Sequence, residues 1–284
     1  MNSQRTGITR TIVQRTQGIP ASDGDGVKLT RIIGSQEINM IDPFLLLDAF
    51  SSNDQADYIG GFPDHPHRGF ETVTYLLAGR MRHKDNAGHE GVIEAGGVQW
   101  MSAGRGIVHS EMPEQEDGLL KGFQLWVNLP STEKMTAPKY QEFPASEIPV
   151  ETMADVGTIT VIAGTTDAGT TGPVKNSHTD PIYLDIQLSS GAPFQQTVPT
   201  TLSGFIYVIT GNVKVGEDDE LLGKGNLGVL SDGDRVHITC VDDSRFLLIA
   251  GKQLNEPVAR GGPFVMNTKQ EIQQAFQDYQ HGRF

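Results

Sequence analysis

Short alternations of apolar and polar residues run through most of the chain. Val73, Tyr75 and Leu77, for example, alternate with Thr72 and Thr74, which is the period of a strand with one buried face. The 33 glycines and 15 prolines among the 284 residues interrupt such stretches at short intervals, and this spacing favours many short strands over long helices. The pattern therefore predicts an all-β protein.

Two stretches of the sequence resemble each other and indicate an internal duplication. Each copy reads as strand, glycine turn, strand, glycine turn and strand. The first copy contains Tyr75-Leu-Leu-Ala-Gly79, Met101-Ser-Ala-Gly104 and His109. The second contains Tyr207-Val-Ile-Thr-Gly211, Leu230-Ser-Asp-Gly233 and His237. A chain of this length has room for two domains of ordinary size. We therefore expect two tandem β barrels.

A proline-rich stretch marks the expected boundary between the domains. Residues 129–149 contain four prolines among scattered charges, so we place the linker there and expect an N-terminal domain at 1–135 and a C-terminal domain at 150–284. Near the end of the chain, Thr268-x-x-Glu271 is a capping-box pattern. Because Ile272, Ala275 and Tyr279 follow at helical spacing, we expect one amphipathic helix near 268–280.

Histidines and glutamates cluster at strand spacing in the first half. His65, His67 and Glu71 share one parity, and residues two apart on a strand project from the same face with Cα atoms roughly 6.5 Å apart. His109 and Glu111 form a second pair of the same kind. On neighbouring strands of a barrel, the two groups would converge inside it and could share one metal ion.

Three imidazoles and one carboxylate suit a divalent transition metal. Fe(II) is compatible with these ligands, and so are Mn, Co, Ni, Cu and Zn. With neutral histidines, such a centre keeps about one unit of positive charge, which favours an anionic ligand such as an enolate or phenolate. Four other histidines are interpreted as surface residues or hydrogen-bonded core residues: His83, His89, His178 and His281.

The second copy lacks this pattern. Ten residues before Tyr75 the first copy has His65, whereas ten residues before Tyr207 the second copy has Thr197-Val-Pro199. His237 remains alone beside Thr239. We therefore expect a C-terminal domain without a metal ion.

Charge and cysteine content narrow the functional classes. The formal net charge of -13 disfavours direct contact with nucleic acid or an anionic membrane, which recruit clustered Lys and Arg. The first eighteen residues contain no apolar run that could serve as a secretory core or membrane span, so we expect a cytoplasmic protein. The single cysteine, Cys240, cannot form an internal disulfide and is interpreted as a buried structural thiol.

Longer motifs resemble those of the cupin superfamily and, within it, of the pirin family. His65-x-His67-x-x-x-Glu71 followed by Gly79 resembles the first cupin motif, and Gly97 through Gly104 to His109 the second. The resemblance to pirins is carried by four long segments: His65-Pro-His-Arg-Gly-Phe-Glu-Thr-Val-Thr74, Gln99-Trp-Met-Ser-Ala-Gly-Arg-Gly-Ile-Val-His-Ser-Glu-Met-Pro113, Gln124-Leu-Trp-Val-Asn-Leu-Pro130 and Gly262-Pro-Phe-Val-Met-Asn267. They are distributed over nearly the whole chain.

The resemblance implies a fold and a metal site. It implies two cupin barrels of the double-stranded β-helix or jelly-roll type, with a C-terminal helix. In cupins generally the carboxylate ligand is the glutamate of the first motif, here Glu71, whereas in pirins it is the glutamate two residues after the last histidine, here Glu111. The implied ligands are therefore His65, His67, His109 and Glu111, with Fe(II) as the first expectation for the metal. Glu71 is kept as a neighbour inside the barrel that could bind the metal or the substrate.

The resemblance also implies an activity. Some bacterial pirins are quercetin 2,3-dioxygenases, which open the central ring of a flavonol with O2 and release carbon monoxide, so we expect an oxidoreductase that takes a flavonol or another small aromatic substrate. A carboxylate would accept the proton of the flavonol 3-hydroxyl group, with Glu111 as the first candidate and Glu71 as the second. The alternative is an iron-binding regulatory or stress-response protein that acts through protein partners, and a third option is a different cupin reaction.

Overall fold

The computed structural model describes residues 7–115 and 117–284, which form two compact units. The N-terminal unit comprises residues 19–147 together with 254–284, and the C-terminal unit comprises 148–253 together with the described part of 1–18. The expected domains, 1–135 and 150–284, are each one continuous stretch of the chain. The units are not continuous, because the N-terminal segment belongs to the C-terminal unit and the C-terminal segment belongs to the N-terminal unit.

The described residues form 24 strands, one α-helix and two short 3-10 helices, at Gln55–Asp57 and Ala145–Glu147. The strands before residue 148 are β1 (Ile12–Thr16), β2 (Ile19–Asp23), β3 (Val27–Ile33), β4 (Phe44–Ser52), β5 (Phe62–His67), β6 (Phe70–Ala78), β7 (Arg80–Asp85), β8 (Glu90–Glu94), β9 (Val98–Ser102), β10 (Ile107–Pro113), β11 (Leu120–Asn128) and β12 (Lys139–Phe143). The strands after it are β13 (Val150–Met153), β14 (Gly157–Ala163), β15 (Ile182–Leu188), β16 (Pro193–Thr197), β17 (Leu202–Thr210), β18 (Asn212–Val215), β19 (Glu220–Gly223), β20 (Leu227–Leu230), β21 (Arg235–Cys240), β22 (Ser244–Lys252), β23 (Ala259–Gly261) and β24 (Phe264–Met266). The all-β prediction is confirmed.

In the N-terminal unit, a seven-stranded and a four-stranded antiparallel sheet enclose the interior. Their strand orders are β12-β9-β6-β11-β4-β3-β2 and β5-β10-β7-β8. Apolar residues of both sheets form one cluster, including Phe50 and Leu76 from the larger sheet and Met81 and Ile93 from the smaller. Alternation along each strand supplies these side chains to the interior.

The C-terminal unit repeats this arrangement. Its sheets have the orders β1-β20-β17-β22-β15-β14-β13 and β16-β21-β18-β19. Strand β1 belongs here because it pairs with the edge strand β20, with Thr16 opposite Leu227. Its interior contains a large apolar cluster that includes Phe194, Val236 and Phe246, and the buried side chain of Gln196 lies opposite Val236.

The predicted C-terminal helix is present as α1 (Lys269–Gln280) and packs within the N-terminal unit. Thr268 and Glu271 form the expected capping box, in which each side chain accepts a hydrogen bond from the other residue's main-chain N–H. Ile272 and Ala275 are buried against Phe264. Among the described residues, no helix is both long enough and apolar enough to span a membrane.

A buried ammonium group holds together three segments of the N-terminal unit. Lys134 is 1% exposed, and its Nζ donates to the carbonyls of Gly69 (2.7 Å) and Val265 (3.1 Å) and to Asn128 Oδ1 (2.6 Å). Burial lowers the pKa of Lys134 to about 8. Each proton of the ammonium group has an acceptor, which offsets much of the penalty for burying it.

We expect Lys134→Met to destabilise the N-terminal unit by about 2–4 kcal/mol, because it leaves three buried acceptors without a donor. Differential scanning calorimetry should show the melting temperature of that unit falling by roughly 5–10 °C. The exposed residue Lys139 offers the matched control, and Lys139→Met should change stability by less than about 0.5 kcal/mol. Equal effects of the two substitutions would contradict this role of Lys134.

Candidate metal centre

Strands β5 and β10 lie side by side and carry the predicted histidines. Their antiparallel register sets His109 directly opposite His65. The turn after β5 requires glycine, since Gly69 has φ +86° and a Cβ there would lie 2.0 Å from the carbonyl oxygen of Val265. β5 ends at His67, two residues before this glycine, and β6 starts directly after it at Phe70.

The three imidazoles converge. Ring centroids are 4.7 Å apart for His65 and His67, 4.4 Å for His65 and His109, and 5.1 Å for His67 and His109. Each ring has one nitrogen that can serve as a ligand atom, and these three nitrogens all lie within 4.8 Å of one another. The three side chains therefore form a group that could hold one metal ion.

The hydrogen bonds of two rings determine where their protons are. His65 Nδ1 lies 2.8 Å from the carbonyl oxygen of Pro63, and His67 Nδ1 lies 3.4 Å from that of Pro263. A carbonyl oxygen only accepts, so each Nδ1 carries a proton and donates it. The two Nε2 atoms face each other 3.1 Å apart. A metal ion bound between them would be coordinated by both nitrogens, because metals bind the unprotonated ring nitrogen.

His109 provides the strongest indication of a missing partner. It is 1% exposed, and neither Nδ1 nor Nε2 has a hydrogen-bond partner among the described residues. Burial is the main reason why the pKa of His109 lies well below its usual range, and the neighbouring His67 and His65 lower it further. Burial and His65 do the same for His67. A lowered pKa favours the uncharged ring, and a buried imidazole such as His109, with no partner among the described residues, fits a divalent metal ion because metals bind the unprotonated nitrogen.

Glu111 lies next to this group without being part of it. The register between β10 and β5 shifts after His109, so that Glu111 faces Phe62. Its Oε1 lies 2.7 Å from the hydroxyl of Thr74, and its Oε2 accepts from Gln124 Nε2 at 3.4 Å. The carboxylate is buried and lines the same cavity as His65 and His67. The structure thus brings Glu111 to the site, where two polar side chains orient it.

Glu71 is not brought to the imidazoles. Phe70 contacts His67 (centroids 5.0 Å apart) and Thr74 contacts Glu111, so the even-numbered positions of β6 face the site. Successive side chains of a strand alternate, and Glu71 therefore faces the opposite side of the sheet. There its Oε2 accepts a hydrogen bond from Trp100 Nε1 at 3.0 Å. Glu71 and His67 have the same parity in the sequence, but the turn at Gly69 lies between them, so they are on different strands and their side chains do not share a face.

Sequence reasoning missed a polar group on β7. His83 is paired with Glu111 across β10 and β7, and Asp85 is paired with His109. Both are buried. His83 Nε2 lies 3.1 Å from Glu142, and Tyr140 donates to Asp85. The spacing His83-x-Asp85, which has the same strand period as the ligand pairs, could have indicated this group. His83 had been interpreted as a surface residue or a hydrogen-bonded core residue, without these neighbours.

A cavity of about 510 Å³ opens onto the imidazoles. Strands β3, β4, β5, β10 and β11 and residues 260–263 provide its walls. Trp126 lines it and meets His67 edge-on, with centroids 5.3 Å apart, while Phe70 packs on Trp126 at 4.3 Å. A largely apolar cavity with a few convergent polar groups is the usual form of a small-molecule site.

The corresponding positions of the C-terminal unit are occupied differently. His83, four residues after Gly79, pairs with Glu111, and Val215, four residues after Gly211, pairs with Ile238. Ile238 therefore corresponds to Glu111, and Val236 to His109. His237 lies between them on the other face of β21 and is half-buried. The comparison of the repeats in the sequence made His237 the equivalent of His109. The sheet register shows that the equivalent residue is Val236, one residue earlier.

Two antiparallel units with the same strand order, one with clustered imidazoles inside, define a two-domain cupin protein with a candidate metal centre. Residues 26–127 match the family model of pirin, and residues 183–284 match the model of the pirin C-terminal cupin domain. The chain belongs to the pirin family. The predicted family and the two-cupin fold are thereby confirmed.

Relatives cover nearly the whole chain. A pirin-like protein of Caulobacter vibrioides is 52% identical over 97% of this chain and 99% of its own. Pirin of Homo sapiens is 45% identical over 97% of this chain and 93% of its own. The crystal structure of quercetin 2,3-dioxygenase from Acinetobacter baumannii is similar with a TM-score of 0.90 and 34% identity, covering 98% of this chain and 99% of that one.

We expect His65→Ala and His109→Ala each to reduce bound metal to below about a tenth of the wild-type content, because each removes one imidazole of the group. His237→Ala, in the C-terminal unit, is the matched control and should bind metal like the wild type. Elemental analysis of the purified proteins measures this directly, with circular dichroism to verify folding. Equal metal content in the three variants would rule out the assignment.

Proposed function

We propose that this protein is a metal-dependent dioxygenase of the quercetin 2,3-dioxygenase type, which opens the central ring of a flavonol with O2 and releases carbon monoxide. The observation that supports it most is the group of three convergent imidazoles, with the Nε2 atoms of His65 and His67 3.1 Å apart, beside the buried carboxylate of Glu111. The whole-chain similarity to the Acinetobacter baumannii enzyme agrees with this choice of reaction.

The metal we propose is a single divalent ion held by His65, His67 and His109, with Glu111 as the fourth ligand or as a close neighbour. Fe(II) is our first choice among the ions that these ligands accept, which also include Cu, Ni, Mn, Co and Zn. Such an ion would supply Lewis acidity that lowers the pKa of a substrate hydroxyl group. Elemental analysis of the untreated protein tests its identity.

Glu111 is our candidate for the general base. Its carboxylate lines the cavity, so it can accept the proton of a substrate hydroxyl group within hydrogen-bond reach. The Thr74 hydroxyl and the Gln124 amide contact the two carboxylate oxygens separately. These contacts restrict the rotation of the carboxylate and thereby keep one lone pair aimed into the cavity.

The cavity walls suit a flat aromatic substrate. Trp126, supported by Phe70, presents an indole ring next to His67, and aromatic rings pack favourably against such a surface at an offset or edge-on. A volume of about 510 Å³ lies in the range of cavities that bind drug-sized molecules.

We expect Glu111→Gln to reduce kcat for quercetin by at least about 100-fold, because the amide cannot accept the proton. Glu71→Gln is the matched control: Glu71 faces the other side of β6, and glutamine can still accept from Trp100, so kcat should fall by less than about threefold. The loss of quercetin absorbance in air, followed with carbon monoxide detection, measures the rate for protein loaded with each candidate metal.

Two results would count against the proposal. Equal losses in the Glu111 and Glu71 variants would remove Glu111 as the base. Quercetin that stays spectrally unchanged with all the metals would reject the dioxygenase and favour the alternative, a metal-binding regulatory protein that acts through protein partners. Affinity capture with the metal in its reduced and oxidised states would then test that alternative.

A further inference from the structure

An arginine lies on the wall of the same cavity and takes no part in the metal centre. Arg260, on β23, lines the cavity through the last segment of the N-terminal unit. Its Nη2 donates to the main-chain carbonyls of Leu45 at 2.8 Å and Asn39 at 3.3 Å. These two bonds fix the position of the guanidinium group, and its Nη1 and Nε make no hydrogen bond with any described residue.

The charge of Arg260 is not neutralised by a neighbouring carboxylate. Among the described residues it forms no ion pair. Arg260 is exposed overall, and desolvation by the atoms packed around its side chain lowers its pKa. Arg31, which lines the same cavity, behaves in the opposite way. It donates to both carboxylate oxygens of Asp48, at 3.0 and 2.7 Å, and to Asp23 at 2.8 Å. The two arginines therefore differ: the charge of Arg31 is paired with two carboxylates, and Arg260 retains an unpaired charge.

A guanidinium held by main-chain carbonyls with donors left over is preorganised for an anion. Its planar fork matches a carboxylate, with which it forms charge-assisted hydrogen bonds. We propose that Arg260 recognises a carboxylate on the ligand of this cavity, so that the preferred ligand is an aromatic acid whose hydroxyl groups meet the metal centre. This inference rests on the proposed function, because it takes the imidazole group as the position of the hydroxyl groups.

The proposal adds hydroxylated aromatic acids to the ligands expected for this cavity. Quercetin has hydroxyl groups for the metal centre and no carboxylate for Arg260. A hydroxylated aromatic acid would use both cationic features of the cavity, since a centre of three imidazoles, one carboxylate and a divalent ion also keeps about one positive charge. Such a ligand complements the charge of the wall better than a flavonol of the same size.

Two small probes separate the contribution of the carboxylate. Catechol and 3,4-dihydroxybenzoate both offer adjacent ring hydroxyl groups, and the second adds a carboxylate. By titration calorimetry on the metal-loaded protein, we expect 3,4-dihydroxybenzoate to bind about five- to tenfold more tightly than catechol, the range for a charge-assisted contact at a partly exposed site. Arg260→Gln should reduce this ratio to below about twofold, and Arg260→Lys should retain part of it.

The controls use the same protein and the same measurement. Arg105 is exposed and does not line the cavity, so Arg105→Gln makes the same change in net charge and should keep the wild-type ratio. Metal content and melting temperature establish that each variant is folded and loaded. A loss of the ratio in Arg105→Gln as well would show a general charge effect and overturn the proposal.

The outcomes for Arg260 and for the proposed function can be distinguished. If the wild type binds catechol but gains nothing from the carboxylate, the role of Arg260 is refuted while the metal centre stands. If the wild type binds neither probe, the role of Arg260 is refuted too, and quercetin turnover decides separately on the dioxygenase. An unchanged ratio in Arg260→Gln assigns the preference to another group and equally overturns the proposal.

Discussion

Two imidazole nitrogens that face each other at 3.1 Å, the Nε2 atoms of His65 and His67, are the constraint on which the candidate site depends. Main-chain carbonyls fix the protons of His65 and His67 on the far side of each ring. His109 adds a third ring with no protein partner on either nitrogen among the described residues. Burying such groups is unfavourable unless a shared partner binds them. This arrangement makes sense physically as a site for a cation, whatever reaction follows.

The surrounding structure maintains that arrangement through main-chain geometry. The turn at Gly69 ends β5 and allows Val265 to approach the backbone closely. Lys134 donates to the carbonyls of both Gly69 and Val265, so the same buried ammonium group supports the turn and the segment that precedes the helix. Pro263, two residues before Val265, provides the carbonyl that orients His67. The C-terminal segment thus acts on the site through hydrogen bonds of the backbone.

Strand parity in the sequence was sufficient to predict the histidines and insufficient to predict their whole environment. His65, His67 and His109 were found because each lies on a strand without interruption. Glu71 was grouped with them because parity was counted across Gly69, where the chain changes sheets. His237 was misplaced by one residue for a related reason. Aligning the two repeats on their glycines does not take the sheet register into account. Arg260 and the paired strands β7 and β10 depend on contacts between distant segments, which local periodicity does not contain.

The two units show how far the barrel depends on its polar interior. Val236 and Ile238 fill the positions of His109 and Glu111 in the C-terminal unit, where both belong to a large apolar cluster. The same strand order forms in both units, so the imidazoles and the buried carboxylate are not needed to specify the fold. Apolar residues can replace buried polar groups without penalty, and often with a gain in stability. The polar interior of the N-terminal unit therefore opposes stability, and the binding of a ligand or ion is the physical reason for its presence.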